Sequence, residues 1–217
     1  MPPVLAARLV TISGMSRSVC ARRLLKYLRT QRRTHATGGG RTTMEPSTAS
    51  AILAPASLIA MTVSIAMAVI AGTPGAHQLR VLLIERGRWL AFAVAGVATA
   101  ASLYYSEIAH FIPCEMCWFQ RIFMYPLSVV LLAAAITRDE RAWRYAVPLA
   151  VLGLLFSLYH YQLELFPDQP SVCSTTIPCS VRFVEVYGFV SIAFMAGAGF
   201  ISIIALHLAM ARARRAR

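Results

Sequence analysis

The sequence predicts an all-α integral membrane protein: a four-helix transmembrane bundle with an additional hydrophobic segment ahead of it. Three observations predict this fold. Of the 217 residues, 58% are hydrophobic and only 14% are charged, which is too apolar for a soluble domain. The apolar residues form runs close to the 20 or so that a membrane-spanning helix needs. The basic residues gather between those runs, in the pattern that sets the orientation of membrane proteins.

Five apolar runs are long enough to cross a bilayer. They are residues 51–72, 89–106, 118–136, 145–163 and 184–209. Because each backbone amide in hydrocarbon must be bonded within its own segment, every run is predicted to be a helix. The last four runs form the predicted bundle, and the first is the additional N-terminal hydrophobic helix.

The arginines predict which ends of the helices share a side of the membrane. They cluster at 80–88, 137–144 and 211–217, whereas 107–117 has no Lys or Arg and 164–183 has a single arginine. The positive-inside rule places the arginine-rich segments in the cytoplasm and the other two loops outside it. A formal charge of +12 could indicate a nucleic-acid-binding protein, but charges confined to such turns do not form a binding groove, so that class is excluded.

The N-terminal region poses a conflict of topology. Residues 1–43 carry nine Lys or Arg and no Asp or Glu, which is typical of a disordered basic tail or an organelle transit peptide. If this tail stays inside while 51–72 crosses, residues 80–88 come to lie outside. A natural start at Met44 removes the conflict, so 1–43 is predicted to be a dispensable extension, disordered or non-native. Residues 44–87 then form a hydrophobic segment and a cytoplasmic linker. The alternative is that 51–72 does not cross.

Four of the five cysteines fall in the two predicted outer loops. Cys114 and Cys117 form a CxxC pair, and Cys173 and Cys179 lie in CSTTIPC. Thiols outside the cytoplasm meet an oxidising compartment, in which disulfides persist. Cys20 stands alone in the basic N-terminal region and is interpreted as incidental.

The surroundings of the CxxC pair favour a reactive dithiol. Pro113 marks the loop side, and the apolar run that follows predicts a helix beginning at Cys114 or Cys117. The positive end of the helix dipole favours a thiolate there. Arg121, one turn after Cys117, adds a positive charge on the same helix face. Since the thiolate is the attacking species in disulfide exchange, this pattern predicts redox chemistry.

Two other uses of the cysteines remain open at this point. A CxxC disulfide closes a very short loop and constrains the unfolded chain little, but a structural disulfide is a stronger alternative for Cys173 and Cys179. Four cysteines also fit a tetrahedral zinc site. Against zinc, Arg121 would place a positive charge beside the cation, and an oxidising compartment disfavours free thiolates. No metal site is therefore predicted.

Electrons released by thiol oxidation need an acceptor, and the apolar helices point to a lipid-dissolved quinone. Arg121, near the membrane boundary, could stabilise the developing negative charge on a quinone oxygen. His160, at the outer end of the third predicted span, is a second candidate, because ionisable groups within membranes are costly and usually functional. The alternative for His160 is a satisfied histidine at the interface.

Three motifs together resemble the disulfide bond formation protein B (DsbB) family, most closely its BdbC-like branch. They are PCEMCWFQRIFMYP, HYQLELFP about 50 residues later, and CSTTIPCSVRFVEVYGF. The likeness covers residues 88–210 as a four-span domain, followed by a basic cytoplasmic tail at 211–217. It implies a bacterial inner-membrane enzyme. Such an enzyme reoxidises a DsbA- or BdbD-like thioredoxin-fold thiol oxidase outside the cytoplasm and passes the electrons to membrane quinone, either ubiquinone or menaquinone.

The resemblance also implies a role for each site residue. Cys114 and Cys117 correspond to the quinone-proximal disulfide, and Arg121 and His160 correspond to groups at the quinone. Cys173 corresponds to the cysteine that forms a mixed disulfide with the partner, and Cys179 completes that pair. The short spacing of the second pair departs from the enterobacterial branch, so the resemblance does not extend to the geometry of the relay between the two pairs.

Two competing functions belong to other classes. One is a transmembrane thiol reductase or a vitamin K epoxide reductase-like enzyme, in which electrons run the other way. The other is a non-enzymatic membrane scaffold with two structural disulfides, which would not need Arg121 beside a CxxC pair.

Overall fold

The computed structural model describes residues 46–169, 173 and 178–216, and this part of the chain is mainly helical. Five long helices follow one another: α1 (Pro46–Ile70), α2 (His77–Leu103), α3 (Glu115–Thr137), α4 (Trp143–Leu165) and α5 (Ile192–Arg215). A π-helical turn, Tyr104–Ile108, continues α2. The described residues contain no strand beyond an isolated bridge between Val186 and Val190. The predicted extension at 1–43 lies outside the described residues.

Four described helices, α1, α3, α4 and α5, are long and apolar enough to cross a membrane. This confirms the predicted all-α membrane fold, although the four are not the same set as the predicted bundle. Helix α2 does not reach the same apolarity, because Arg80, Glu85, Arg86 and Arg88 lie in its first half. The predicted span at 89–106 is divided between the apolar half of α2 and the π-helical turn.

Helix α5 is the centre of the packing. It contacts α1, α2 and α4, while α3 lies between α2 and α4 and completes a ring of four helices. Small residues let these helices approach closely. Gly153 of α4, for example, lies directly against the ring of Phe200 on α5, which is fully buried.

Helix α1 lies along the outside of this ring, against α5. Near its start, Ser50 Oγ is 2.9 Å from the hydroxyl of Tyr105, at the far end of α2. Near its end, Arg212 Nη1 donates to the carbonyl of Ala68 over 2.7 Å. The helix therefore runs the same way as α5 over the length of the bundle. This arrangement favours the prediction that 51–72 spans the membrane. It disfavours the alternative, in which that segment does not span it.

The arginine-bearing turns meet at one end of the bundle. Arg80 donates through Nη1 to the carbonyl of Ala216, and Arg214 donates to the carbonyl of Glu140. The cysteines lie at the other end. The chain thus separates a basic end from a cysteine end, as the sequence predicts.

The predicted start of the last helix was wrong. The predicted span begins at 184, but α5 begins at Ile192, where the Ser191 hydroxyl accepts a hydrogen bond from Phe194 N. The preceding residues turn instead, with Tyr187 and Gly188 at positive φ of 56° and 77°. An apolar run gives no sign of such a turn, because its aromatic residues read as part of the span.

Candidate functional site

The CxxC pair lies at the N-terminus of α3. Cys114 is the N-cap residue, in an extended conformation, and its sulfur accepts a hydrogen bond from Cys117 N at 3.4 Å. The two sulfurs, of which neither is in a disulfide, lie 2.9 Å apart. The predicted position at the positive end of a helix dipole is therefore what the structure shows.

His160 of α4 completes a hydrogen-bonded group with this pair. Its Nε2 lies 3.5 Å from Cys114 Sγ, and its Nδ1 lies 3.3 Å from Nε2 of Gln120 on α3. An amide nitrogen can only donate, so Nδ1 accepts and the proton of the neutral ring is on Nε2, facing the sulfur. All three side chains lie in the buried part of the molecule, and His160 is only 3% exposed.

These contacts favour the charged, thiolate form of Cys114. The hydrogen bond from the Cys117 thiol and the nearby His160 lower the pKa of the Cys114 thiol to about 4, against the opposing effect of burial. Hydrogen bonds to the charged form of a group favour that form. In its reduced state the pair therefore holds a thiolate at Cys114 and a proton on Cys117.

The second cysteine pair packs next to the first. Cys173 and Cys179 form a disulfide. Cys179 is buried with Cys114 and Leu163 in one apolar cluster, and Cys173 packs against this cluster while remaining partly exposed. The fold thus brings together two pairs that lie about 60 residues apart in the sequence.

The side chain of Arg121 contacts α2. Its Nε donates to Ser102 Oγ at 3.0 Å, and its Nη2 donates to the Ser102 carbonyl at 3.4 Å. Tyr125 donates to the same hydroxyl, and the guanidinium lies over the ring of Trp118. The predicted charge near Cys117 is present, and Ser102 holds it in place.

A cavity of about 380 Å³ begins at these residues. Cys117, Gln120, Arg121, Ser102 and Tyr125 supply its polar wall. The remaining walls are almost entirely apolar, and they come from α1, α2, α5 and the segments that precede α3 and α5. Cavities of this size, apolar with a few convergent polar groups, are typical of binding sites for small molecules.

Sequence reasoning missed four residues at this site. Gln120 and Tyr125 lie on the same helix as the predicted residues, and Ser102 comes from another helix that no motif marks. Glu164, one turn after His160, is 8% exposed, and its Oε2 lies 3.9 Å from Arg182 Nε. The four-residue spacing of His160 and Glu164 was a usable signal, because such residues share a helix face.

The same geometry would also suit a metal ion. The ligand atoms of Cys114, Cys117 and His160 lie within 4.8 Å of one another. Two thiolates and an imidazole are ligands that zinc accepts. The expectation that the chain holds no metal stays a prediction.

Known proteins match the part of the chain that holds this site. The sequence profile of the family "Disulfide bond formation protein DsbB" matches residues 85–212, more than half of the chain. The chain is 43% identical to a "Probable disulfide formation protein" of Oceanobacillus iheyensis, over 57% of this chain and 87% of the relative. It is 41% identical to "Disulfide bond formation protein C" of Bacillus subtilis, over 54% and 86%. A "Probable disulfide formation protein" of Coxiella burnetii is 38% identical, over 52% and 80%. No solved structure gave a significant match.

Proposed function

The chain belongs to the DsbB family of disulfide bond formation proteins, and from this premise we propose that it reoxidises a thioredoxin-fold thiol oxidase and passes the electrons to a membrane quinone. The family gives a multi-pass membrane protein with a role in thiol oxidation. The DsbA- or BdbD-like partner, the quinone and the order of electron transfer are the proposal.

One observation carries the proposal: the CxxC pair faces two different partners. Cys114 shares an apolar cluster with Cys179 of the other pair. Cys117, three residues later, lines the cavity. A dithiol so placed can exchange disulfides on one side and release electrons on the other. A scaffold with two structural disulfides needs neither the second face nor the cavity.

The proposed exchange proceeds in two balanced steps. A thiolate of the reduced partner attacks Cys173, the more exposed sulfur, and releases Cys179 as the thiolate; the partner's second thiol then displaces Cys173. The partner leaves with a disulfide, and Cys173 and Cys179 are left as thiols.

In the second step, Cys179 attacks Cys114 in the oxidised CxxC pair and releases Cys117. Cys173 then displaces Cys114, which reforms the Cys173–Cys179 disulfide and leaves two electrons and two protons on Cys114 and Cys117. The pairing of Cys173 with Cys179, with Cys114 and Cys117 unbonded, is consistent with this last state.

The residues around the cavity fit a quinone. Arg121 and Tyr125 line the same cavity as Cys117 and would offer a cation and a hydroxyl to a carbonyl oxygen of a bound quinone. A bound quinone would supply the oxidising power by accepting two electrons and two protons. His160, oriented by Gln120, stabilises the Cys114 thiolate, and the buried site excludes water from it. The apolar walls suit a lipid-soluble molecule.

The sides of the membrane follow from the two ends of the bundle. By the positive-inside rule the basic end lies in the cytoplasm and the cysteine end outside, which is where the partner oxidase acts. We expect a membrane-impermeant thiol reagent to label the reduced loop cysteines of intact cells. Labelling only after permeabilisation would reverse this orientation.

The function is tested by anaerobic mixing of the purified protein with a reduced DsbA-type oxidase and ubiquinone or menaquinone, following quinol by its absorbance. We expect one quinol for each disulfide formed in the partner. Cys173→Ser should leave the partner reduced while the Cys114–Cys117 disulfide still forms. Cys117→Ser should abolish quinol formation. Normal turnover in both variants would show that the cysteines are structural, and faster transfer from quinol to an oxidised partner would favour a reductase.

A further inference from the structure

Helix α1 supplies one complete wall of the cavity. Its lining residues are Leu53, Ala56, Ser57 and Ala60, spaced as i, i+3, i+4 and i+7. This spacing places them on a single stripe of the helix. The stripe faces α2, yet α1 and α2 scarcely touch, because α1 packs against α5. The cavity occupies the gap between them.

The cavity extends from the redox end toward the middle of the bundle. Ser50 is level with Tyr105 through their hydrogen bond. Ala60 lies ten residues further along α1, about 15 Å deeper at 1.5 Å per residue. On the opposite wall, the lining residues of α2 run from Ser102 back to Ala93, about 13 Å at the same rise. Most polar groups lie at the end next to Cys117. Deeper in, the polar side chain is Ser57, whose hydroxyl donates to the Ala54 carbonyl of its own helix, so the deep part is an almost entirely apolar slot.

Helix α1 packs against α5, and a hydrogen bond holds it near each of its ends. The Ser50–Tyr105 hydrogen bond holds one end, and the bond from Arg212 to the Ala68 carbonyl holds the other. Between these points the stripe from Leu53 to Ala60 faces the cavity rather than another helix. The stretch that matches the family begins at residue 85, so α1 lies outside it.

We propose that α1 forms a binding surface for the isoprenoid tail of the quinone, which enters from the lipid through the gap between α1 and α2. This inference rests on the proposed function, since it assigns the tail of a molecule whose ring would lie at Cys117 and Arg121. A tail fits the slot because the slot is almost entirely apolar, elongated and continuous with the redox end. Helix α1 takes no part in thiol exchange, and it determines how strongly a tailed quinone binds.

The test fills the deep end of the slot. Ala60→Phe places a ring where the tail would lie, and Ala66→Phe, on an exposed face of the same helix, is the matched control. The dissociation constant is measured by quenching of tryptophan fluorescence, because Trp118 lies beside Arg121. Two probes are compared in each variant: a quinone with a long isoprenoid tail, and the same ring carrying a methyl group instead.

We expect Ala60→Phe to weaken binding of the long-tailed quinone about tenfold and to leave binding of the tailless ring unchanged. Ala66→Phe should change neither. Equal weakening of both probes, or no weakening of the long-tailed one, would overturn the tail site while the proposed function stands. Wild-type protein that binds neither probe would instead overturn the proposed function. If Ala60→Phe does not fold, the smaller change Ala60→Leu gives the same comparison.

Discussion

His160 Nε2 lies 3.5 Å from Cys114 Sγ, and this contact joins the middle of the chain to the redox pair. Gln120 fixes the ring from its other side by its bond to Nδ1. The ring therefore presents an N–H to the sulfur and not a lone pair. A donor aimed at a thiolate stabilises it, so His160 acts on the charge of Cys114.

Replacing His160 by Ala should therefore raise the pKa of the Cys114 thiol. The thiolate loses a donor in a buried site, and the empty space is apolar. The thiolate absorbance near 240 nm in the reduced protein, followed against pH, measures this change. Gln120→Ala should produce a smaller shift in the same direction, because it frees the ring without removing it. A thiolate titration identical to wild type in His160→Ala would return His160 to a packing role.

The lowered pKa of Cys114 also predicts how the stability of the reduced protein depends on pH. In the folded protein this thiol loses its proton near pH 4, whereas an unfolded cysteine does so near pH 8.5. Between these values only the unfolded state holds the proton, so the free energy of unfolding rises with pH. The gain is complete above the unfolded pKa and is lost as the pH falls through about 4.

Unfolding of the reduced protein at a series of pH values measures that gain. Cys114→Ser is the control, because a serine hydroxyl does not titrate in this range. The stability of wild type relative to this variant should grow between about pH 4 and 8.5. A constant difference across the range would mean that Cys114 has an ordinary pKa.

Gly153 is predicted to tolerate no side chain. A Cβ there would lie 2.3 Å from the Phe200 ring, which is fully buried between α4 and α5. Gly153→Ala should lower the free energy of unfolding by about 1–3 kcal/mol, the usual cost of overpacking. Gly96→Ala is the control: its Cβ meets the Phe92 ring at an ordinary 3.7 Å. It should leave stability unchanged or raise it, by up to about 1 kcal/mol. Equal thermal stability of the two variants would contradict the close packing.

The sequence predicts the helices well because the bilayer limits the alternatives. An apolar run of sufficient length must be a helix, and the run at 118–136 lies within α3. The prediction of helix boundaries fails where an irregular segment is itself apolar, as it is before Ile192. Hydropathy cannot distinguish a turn rich in aromatic residues from a membrane-spanning helix. The position of α1 beside α5 could likewise not be predicted from the sequence. Several faces of α1 carry small and apolar residues, so the sequence does not indicate which face packs against another helix.

The site shows the same division. The four cysteines and Arg121 belong to short motifs in which chemistry and spacing coincide. Ser102 belongs to no motif, and it matters because α2 places it against α3. Contacts between helices of this kind depend on how each helix is rotated, which a single sequence does not state.

Two roles can be distinguished for the positive charge of Arg121 at the membrane boundary: anchoring α3 at the interface, or donating to a quinone oxygen. Its guanidinium donates to the side chain and the carbonyl of Ser102 through two different nitrogens. A lysine carries the charge but cannot form both bonds in a fixed plane. If the arginine only anchors α3 at the interface, Arg121→Lys should be almost silent, since lysine can also reach the surface.

If Arg121 instead orients a donor toward a quinone oxygen, Arg121→Lys should weaken the use of quinone. Loss of one hydrogen bond to a charged group costs about 1.5–3 kcal/mol, which corresponds to about 10- to 150-fold in affinity at about 1.4 kcal/mol per decade. The loss should appear as a higher quinone KM that excess quinone partly overcomes, with exchange through Cys173 unchanged. Ser102→Ala keeps the cation but removes its support, so a smaller increase in KM is expected. A wild-type quinone KM in Arg121→Lys would leave the residue as an anchor of α3.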